Sequence, residues 1–158
     1  NVTAQRLVGT DGNTKMSKSL GNCIYLKDKE DVIKKKVMGM FTDPNHLRVE
    51  DPGTVEGNPV FTYLDVFSTE ELFKKHCSDY ATLDEMKDHY RRGGLGDVKI
   101  KRVLNDIMQD ILRPIRERRE DYEQRKPEVF KMIEDGTKAA IEYTNQTLAE
   151  VKAAIGID

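Results

Sequence analysis

Apolar residues recur at three-and-four spacing through most of the chain, and that period predicts helices. The strongest run is Val103, Leu104, Ile107, Met108, Ile111, Leu112 and Ile115, an amphipathic helix of several turns. Pro114 lies inside it and removes one backbone donor, so a bend is expected there. Lys126-Pro127 ends this helix and opens a last one, whose stripe is Val129, Met132, Ile133, Ala140, Ile141, Leu148, Val151 and Ile155. Gly136 weakens its middle by roughly 1 kcal/mol relative to Ala. Gly156 closes it.

Shorter helices precede these two. Asp28 is placed to cap a helix from Lys29 to about Met40, with Val32, Ile33, Lys36 and Val37 on one side. Asn58 caps the next, with Pro59 at its first position and Val60, Phe61, Leu64 and Phe67 along it. Ser68-Thr69-Glu70-Glu71 fits a capping box for a helix to about Asp79. Thr82 with Glu85 repeats the pattern, and Gly93-Gly94 stops that helix. Between the first two helices lies a long connection, Thr42 to Asn58, holding Pro44, Pro52, Gly53 and Gly57. Connections of that length are functional or held down by neighbours.

The N-terminal segment differs. Leu7-Val8 reads as the end of a strand, and residues 9–22 have loop composition. No alternating pattern competes with helix after residue 30. The predicted fold is mainly α: a small antiparallel helical bundle with a loop-rich N-terminal arm.

Composition narrows the function classes. The 158 residues are 37% hydrophobic and 34% charged with a net charge of −2, so the chain as a whole is no polycation. Any nucleic-acid contact must come from a local basic patch. No apolar run approaches the ~18 residues that read as a membrane span. Cys23 and Cys77 are too few for a disulfide framework or a zinc site. A reducing, cytoplasmic setting is expected, with both as free thiols. The chain opens on Asn1 with no leader pattern, and it reads as the distal part of a longer protein.

The candidate chemistry sits in Lys15-Met16-Ser17-Lys18-Ser19, inside the Gly- and Asn-rich loop. Two lysines three apart, two hydroxyls and exposed backbone amides suit a polyphosphate, because ammonium groups neutralise charge and the others donate hydrogen bonds. A solvated lysine-rich turn is the plainer alternative. Against it, all five positions and the flanking Asp11-Gly12-x-x-Lys15 pattern agree with a known signature.

That signature is the second of the class I aminoacyl-tRNA synthetases, which the chain therefore resembles. Ser19-Leu20-Gly21-Asn22, Ile24-x-Leu26, Lys34-Lys35-Lys36, Thr42-Asp43-Pro44, Asp51-Pro52-Gly53 and Pro114-Ile115-Arg116-Glu117-Arg118 look like the tryptophanyl-tRNA synthetases. So do Gly136, Lys138-Ala139, Thr147-Leu148, Val151 and Ile155-Gly156 near the end. The tyrosyl-tRNA synthetases are the alternative within the class. The first class I signature, of His-x-Gly-His type, is absent: His46, His76 and His89 lie far apart. They have no metal-ligand spacing either, and no metal site is expected. The resemblance therefore covers a C-terminal portion only, with residues 1–27 as the end of a catalytic Rossmann domain and 28–158 as its helical partner.

The resemblance implies tryptophan activation by ATP with Mg2+, giving tryptophanyl-adenylate and pyrophosphate, then transfer to tRNA(Trp). It implies that Lys15 and Lys18 stabilise the pyrophosphate leaving group. Ser17 and Ser19 would bond phosphate oxygens. Met16 would anchor the loop, and Leu7 would offer backbone to the adenine. It implies a cytoplasmic homodimer in full length, with the tryptophan pocket outside this chain and this portion inactive alone.

Between 91 and 126, eleven Lys and Arg face seven Asp and Glu, a local excess of positive charge. Two readings stand: an RNA-contacting face, favoured by the resemblance, or a solvated helix surface laced with ion pairs. A stand-alone RNA-binding module and a helical assembly domain are the corresponding rivals from other functional classes. Met108, Met132, Phe61, Tyr63 and Phe67 read as core, while Tyr90 and Tyr122 are left open between core and base stacking.

Overall fold

Among the described residues, six helices form in the order the apolar period sets out: α1 (Glu30–Met38), α2 (Pro59–Phe67), α3 (Glu70–His76), α4 (Leu83–Arg92), α5 (Asp97–Gln124) and α6 (Lys126–Ile155). They come from a computed structural model that describes residues 7–13 and 15–157. Among these residues there is no strand. The expected strand end at Leu7-Val8 is one isolated antiparallel bridge, Val8 to Lys15, and residues 1–6 lie outside the described residues.

Side-chain caps explain the starts of α2, α3 and α4. Asn58 accepts from the Val60 amide at 3.0 Å, and Pro59 fills the first turn. Thr82 accepts from the Glu85 amide at 3.2 Å, while the Glu85 carboxylate reaches back to the Ala81 amide at 2.8 Å. Thr69, not Ser68, caps α3, which ends at His76 rather than near Asp79 because Cys77 leaves helical geometry. Asp28 does not cap α1. Its carboxylate accepts from the Tyr25 amide at 2.9 Å and from the Lys36 ammonium at 2.5 Å, and Lys29 takes the cap position without a side-chain bond. A charge-assisted bond is the stronger of the two competing uses. α5 continues through Pro114 to Gln124. α6 passes Gly136 unbroken and ends on Gly156 in the left-handed region.

The chain divides into two compact units, residues 1–116 and 117–158. The first holds the core. Ile33, Val37, Val60, Phe61, Tyr63, Leu64, Met86, Tyr90, Leu95, Ile100, Leu104 and Ile107 are fully enclosed. Tyr90 is therefore core, packed edge-on against Phe61 at 5.1 Å between ring centres. Met108 is buried as expected, at 4% exposure.

The long connection is held down. Asp97 at the start of α5 accepts from Thr42 (2.6 Å), from the Tyr90 hydroxyl (2.8 Å) and bonds His46 Nδ1 (2.9 Å). Burial raises the Asp97 carboxyl, but these bonds outweigh it and hold the group below the usual carboxylate range. Gly53 donates to the Tyr90 carbonyl at 2.9 Å and lies against its ring, where any Cβ would collide.

The second unit departs from expectation. α6 buries none of its residues, and Met132, read as core, is 59% exposed. Phe130, Ile133, Ile141, Leu148, Val151 and Ile155 are exposed with it. A stripe is buried only where another element lies on it, and within 117–157 the described residues leave this one open. Among the described residues no helix is long and apolar enough to cross a membrane.

Candidate functional site

The lysine loop hangs from a tight return of the chain. Gly12 donates to the Gly9 carbonyl at 3.0 Å, with φ at 77°. That left-handed geometry favours glycine. A Cβ there would also come within 2.8 Å of the Phe41 ring. The bridge from Val8 to Lys15 closes the return, and Lys15 to Ser19 follows it. Gly21, also left-handed at φ 67°, turns the chain back by donating to the Lys18 carbonyl at 3.2 Å. Thr10 then donates to the Asn22 carbonyl at 3.0 Å, joining the two rims of the loop.

Three contacts root this assembly in the helical core. The Tyr63 hydroxyl donates to the Val8 carbonyl at 2.8 Å. The Phe41 amide donates to the Thr10 carbonyl at 2.9 Å. Leu7, Val8 and Ile24 pack against the core cluster. Burial, with smaller contributions from Cys23 and Asp11, pushes the Tyr63 phenol up to about 12, so it stays a donor throughout the neutral range.

The predicted residues take distinct positions on this frame. Lys15, Lys18 and Ser19 are exposed, Met16 and Ser17 are half-buried, and Leu7 is half-buried at the root. The Ser17 and Ser19 hydroxyls bond each other at 2.9 Å. One expectation is corrected: the Ser17 backbone amide is not free for an anion, because it donates to Asn22 Oδ1 at 2.7 Å. Asn22 also donates from Nδ2 to Asp11 Oδ2 at 3.1 Å and to the Lys15 carbonyl at 3.3 Å. The pattern of residues marked the loop but assigned no role to Asn22, Asp11, Phe41 or Tyr63. The first two carry a readable signal, a polar pair at the two rims of one loop. The other two are linked to it only by the fold.

The basic stretch resolves into several kinds of contact. Arg119–Glu123 (2.7 Å) and Arg125–Glu128 (2.9 Å) are ion pairs along the helix surface, as is Arg125 with Asp121. Arg91 reaches Glu56 at 2.7 Å, Lys99 pairs with Asp79, and Arg116 is buried against Glu30 at 3.0 Å. Lys101 is buried, donates to the Met38 carbonyl at 3.3 Å, and its ammonium is pushed down by that burial. Arg92 and Arg102 are exposed and take part in none of these pairs. Tyr122 is exposed, with the Arg125 guanidinium 5.1 Å from its ring centre.

The histidines are structural. His46 serves Asp97, His76 bonds Asp110 at 2.7 Å, and His89 bonds the Tyr80 hydroxyl at 2.6 Å. Among the described residues, no three His, Cys, Asp or Glu side chains gather to hold a metal ion. Cys23 and Cys77 are buried free thiols, and burial raises the Cys77 thiol.

A family model for tRNA synthetases class I (W and Y) matches residues 1–113. The chain belongs to this synthetase family. It is 56% identical over 156 residues to a tryptophan–tRNA ligase of Clostridium longisporum, covering 99% of this chain and 43% of the relative. To a tryptophan–tRNA ligase of Streptococcus pyogenes serotype M3 it is 54% identical over 158 residues, covering all of this chain and 44% of the relative. The chain thus spans less than half the length of these curated relatives.

Solved synthetases share the fold. A Campylobacter jejuni tryptophanyl-tRNA synthetase complexed with ADP and tryptophan superposes with a TM-score of 0.75 at 24% identity, over 99% of this chain and 45% of that one. An Archaeoglobus fulgidus tyrosyl-tRNA synthetase complexed with L-tyrosine gives 0.53 at 23% identity, over 72% of this chain and 35% of that one. The sequence likeness is to tryptophan–tRNA ligases, and the solved structures show the shared fold.

Proposed function

We propose that this chain is the C-terminal portion of a tryptophan–tRNA ligase and supplies its second signature loop and helical RNA-binding part. The observation that carries the reading is the Lys15–Ser19 loop itself. Its two lysines are exposed on a frame rooted in the core, in a chain more than half identical to tryptophan–tRNA ligases. Residues 1–27 are assigned to the end of the nucleotide-binding domain and 28–158 to the helical domain. The arm clusters with the helices up to Arg116, so compactness draws no line at residue 27, and this boundary rests on the resemblance.

In the reaction, the tryptophan carboxylate attacks the α-phosphate of ATP and pyrophosphate leaves. Negative charge builds on the leaving group. The Lys15 and Lys18 ammonium groups stabilise that charge, and the Ser17 and Ser19 hydroxyls exchange their mutual bond for phosphate oxygens. Contacts that strengthen as charge develops on the leaving group contribute most in the transition state. Met16, half-buried between the lysines, anchors the loop, and backbone at Leu7 meets the adenine edge. No covalent intermediate with the protein is involved. Magnesium enters with the nucleotide. It would supply further positive charge to the phosphates, and among the described residues no three His, Cys, Asp or Glu side chains gather to hold it.

The aminoacyl group passes to tRNA(Trp), whose anticodon arm the helical part receives through exposed cations such as Arg92 and Arg102. The whole enzyme is a cytoplasmic homodimer in this reading. Its first signature and tryptophan pocket lie outside this chain, which is inactive alone. The test is ATP–pyrophosphate exchange by the full-length protein with tryptophan and, separately, tyrosine. Exchange with tryptophan only supports the reading. Exchange with tyrosine only moves the chain to the tyrosyl branch, and none with either overturns it.

A further inference from the structure

Asn22 is 4% exposed, yet it sits in a loop whose neighbours Leu20 and Gly21 are in solvent. Its amide is used from both ends. Oδ1 accepts from the Ser17 amide at 2.7 Å, and Nδ2 donates to Asp11 Oδ2 at 3.1 Å and to the Lys15 carbonyl at 3.3 Å. Its backbone carbonyl takes the Thr10 amide at 3.0 Å. The partners fix the amide's orientation, since an N–H faces one end and a carboxylate and a carbonyl face the other.

We infer that Asn22 is the positioning residue of the lysine loop, setting the shape in which Lys15 and Lys18 meet the pyrophosphate. This rests on the proposed adenylate chemistry and deepens it. Asn22 grips the loop on both sides of Met16 and ties that grip to the rim at Asp11. Lys15 and Ser17 therefore keep a fixed separation while their side chains stay available. A group with a donor and an acceptor in one plane is required. An aspartate would set a second carboxylate against Asp11 and the Lys15 carbonyl. Gly9 guards the arrangement, because a Cβ there would fall onto the Asn22 amide nitrogen.

Misplacement of catalytic groups by about 1 Å costs on the order of 100-fold in rate. In the full-length protein, Asn22→Ala and Asn22→Asp are expected to lower kcat for tryptophan-dependent exchange by roughly 10- to 100-fold per titrated active site. The tryptophan Kd stays within about 2-fold, because the proposed reading places the residues that hold tryptophan outside this chain. Gly9→Ala behaves like Asn22→Ala. Adding Asp11→Asn to Asn22→Asp restores part of the rate by exchanging donor and acceptor. In Asn22→Ala, which removes the acceptor, hydrogen exchange at the Ser17 amide speeds up while amides of α2 keep their protection.

A purely structural role predicts the opposite split, with fewer active sites and normal kcat at each. That result, or unchanged Ser17 exchange, would overturn the inference. A wild-type protein with no tryptophan-dependent exchange would instead show that the functional reading had failed, and Ser17 protection would still report on the clamp.

Discussion

Tyr63 in α2 and Val8 at the root of the lysine loop are 55 positions apart and joined by one hydrogen bond of 2.8 Å. This bond couples a fully enclosed core side chain to the segment that bears the lysine loop. Tyr63→Phe keeps the packing and removes the donor, leaving a carbonyl short of a partner. The expected loss is about 1 kcal/mol, read by chemical denaturation, with faster hydrogen exchange at the amides of residues 10 and 12. Unaltered exchange there would mean the root is held by other contacts.

Gly12 and Gly21 share left-handed backbone but not surroundings. A Cβ at Gly12 meets the Phe41 ring at 2.8 Å, whereas at Gly21 nothing lies within 4 Å. Each Gly→Ala change carries the left-handed cost of roughly 1–2 kcal/mol. Gly12→Ala adds displacement of Phe41, so its melting temperature should fall further than that of Gly21→Ala. Equal losses would remove Phe41 as a constraint on the turn.

The Asp110 carboxyl is held down at about 2, first by its bond from Lys75 and then by its bond with His76. A folded value below the unfolded one contributes stability at higher pH, and that contribution is lost as pH falls through the folded value. It is therefore fully present above the ordinary value of 3.8 and disappears toward about 2. Melting curves of wild type and Asp110→Asn should differ at neutral pH and converge across that window. A constant difference down to pH 2 would contradict the assignment.

The limits of sequence reading follow from where each signal resides. Helix positions were legible because caps and apolar period are local, as at Asn58, Thr82 and Val103 to Ile115. Asp28 misled because a lysine eight residues on competes for its carboxylate. Met132 misled because period reports an apolar face and says nothing of what covers it. In the site, the lysines and hydroxyls were legible as a contiguous signature. The bonds of Asn22 to Ser17 and of Tyr63 to Val8 depend on chain reversal, so no linear spacing announces them.

The basic stretch separates into residues paired within the fold and exposed residues such as Arg92 and Arg102, which the proposed function assigns to RNA contact. Arg102→Ala should weaken tRNA binding by the full-length protein and lower the steepness of its salt dependence by about 1. Arg116→Ala breaks the part-buried contact with Glu30 and should lower the melting temperature instead. Filter binding at several salt concentrations, alongside thermal melts, tests the division. Identical salt slopes for wild type and Arg102→Ala would remove Arg102 from the interface.

The most direct test of the account is the rate of tryptophanyl-adenylate formation in the full-length protein bearing Lys18→Ala. Removing one preorganised charge contact should raise the barrier by on the order of 3 kcal/mol, a loss of roughly 100-fold in rate. Tryptophan binding should remain near normal, since the substitution lies in the loop. A wild-type rate in Lys18→Ala would contradict the claim that this loop carries the leaving pyrophosphate.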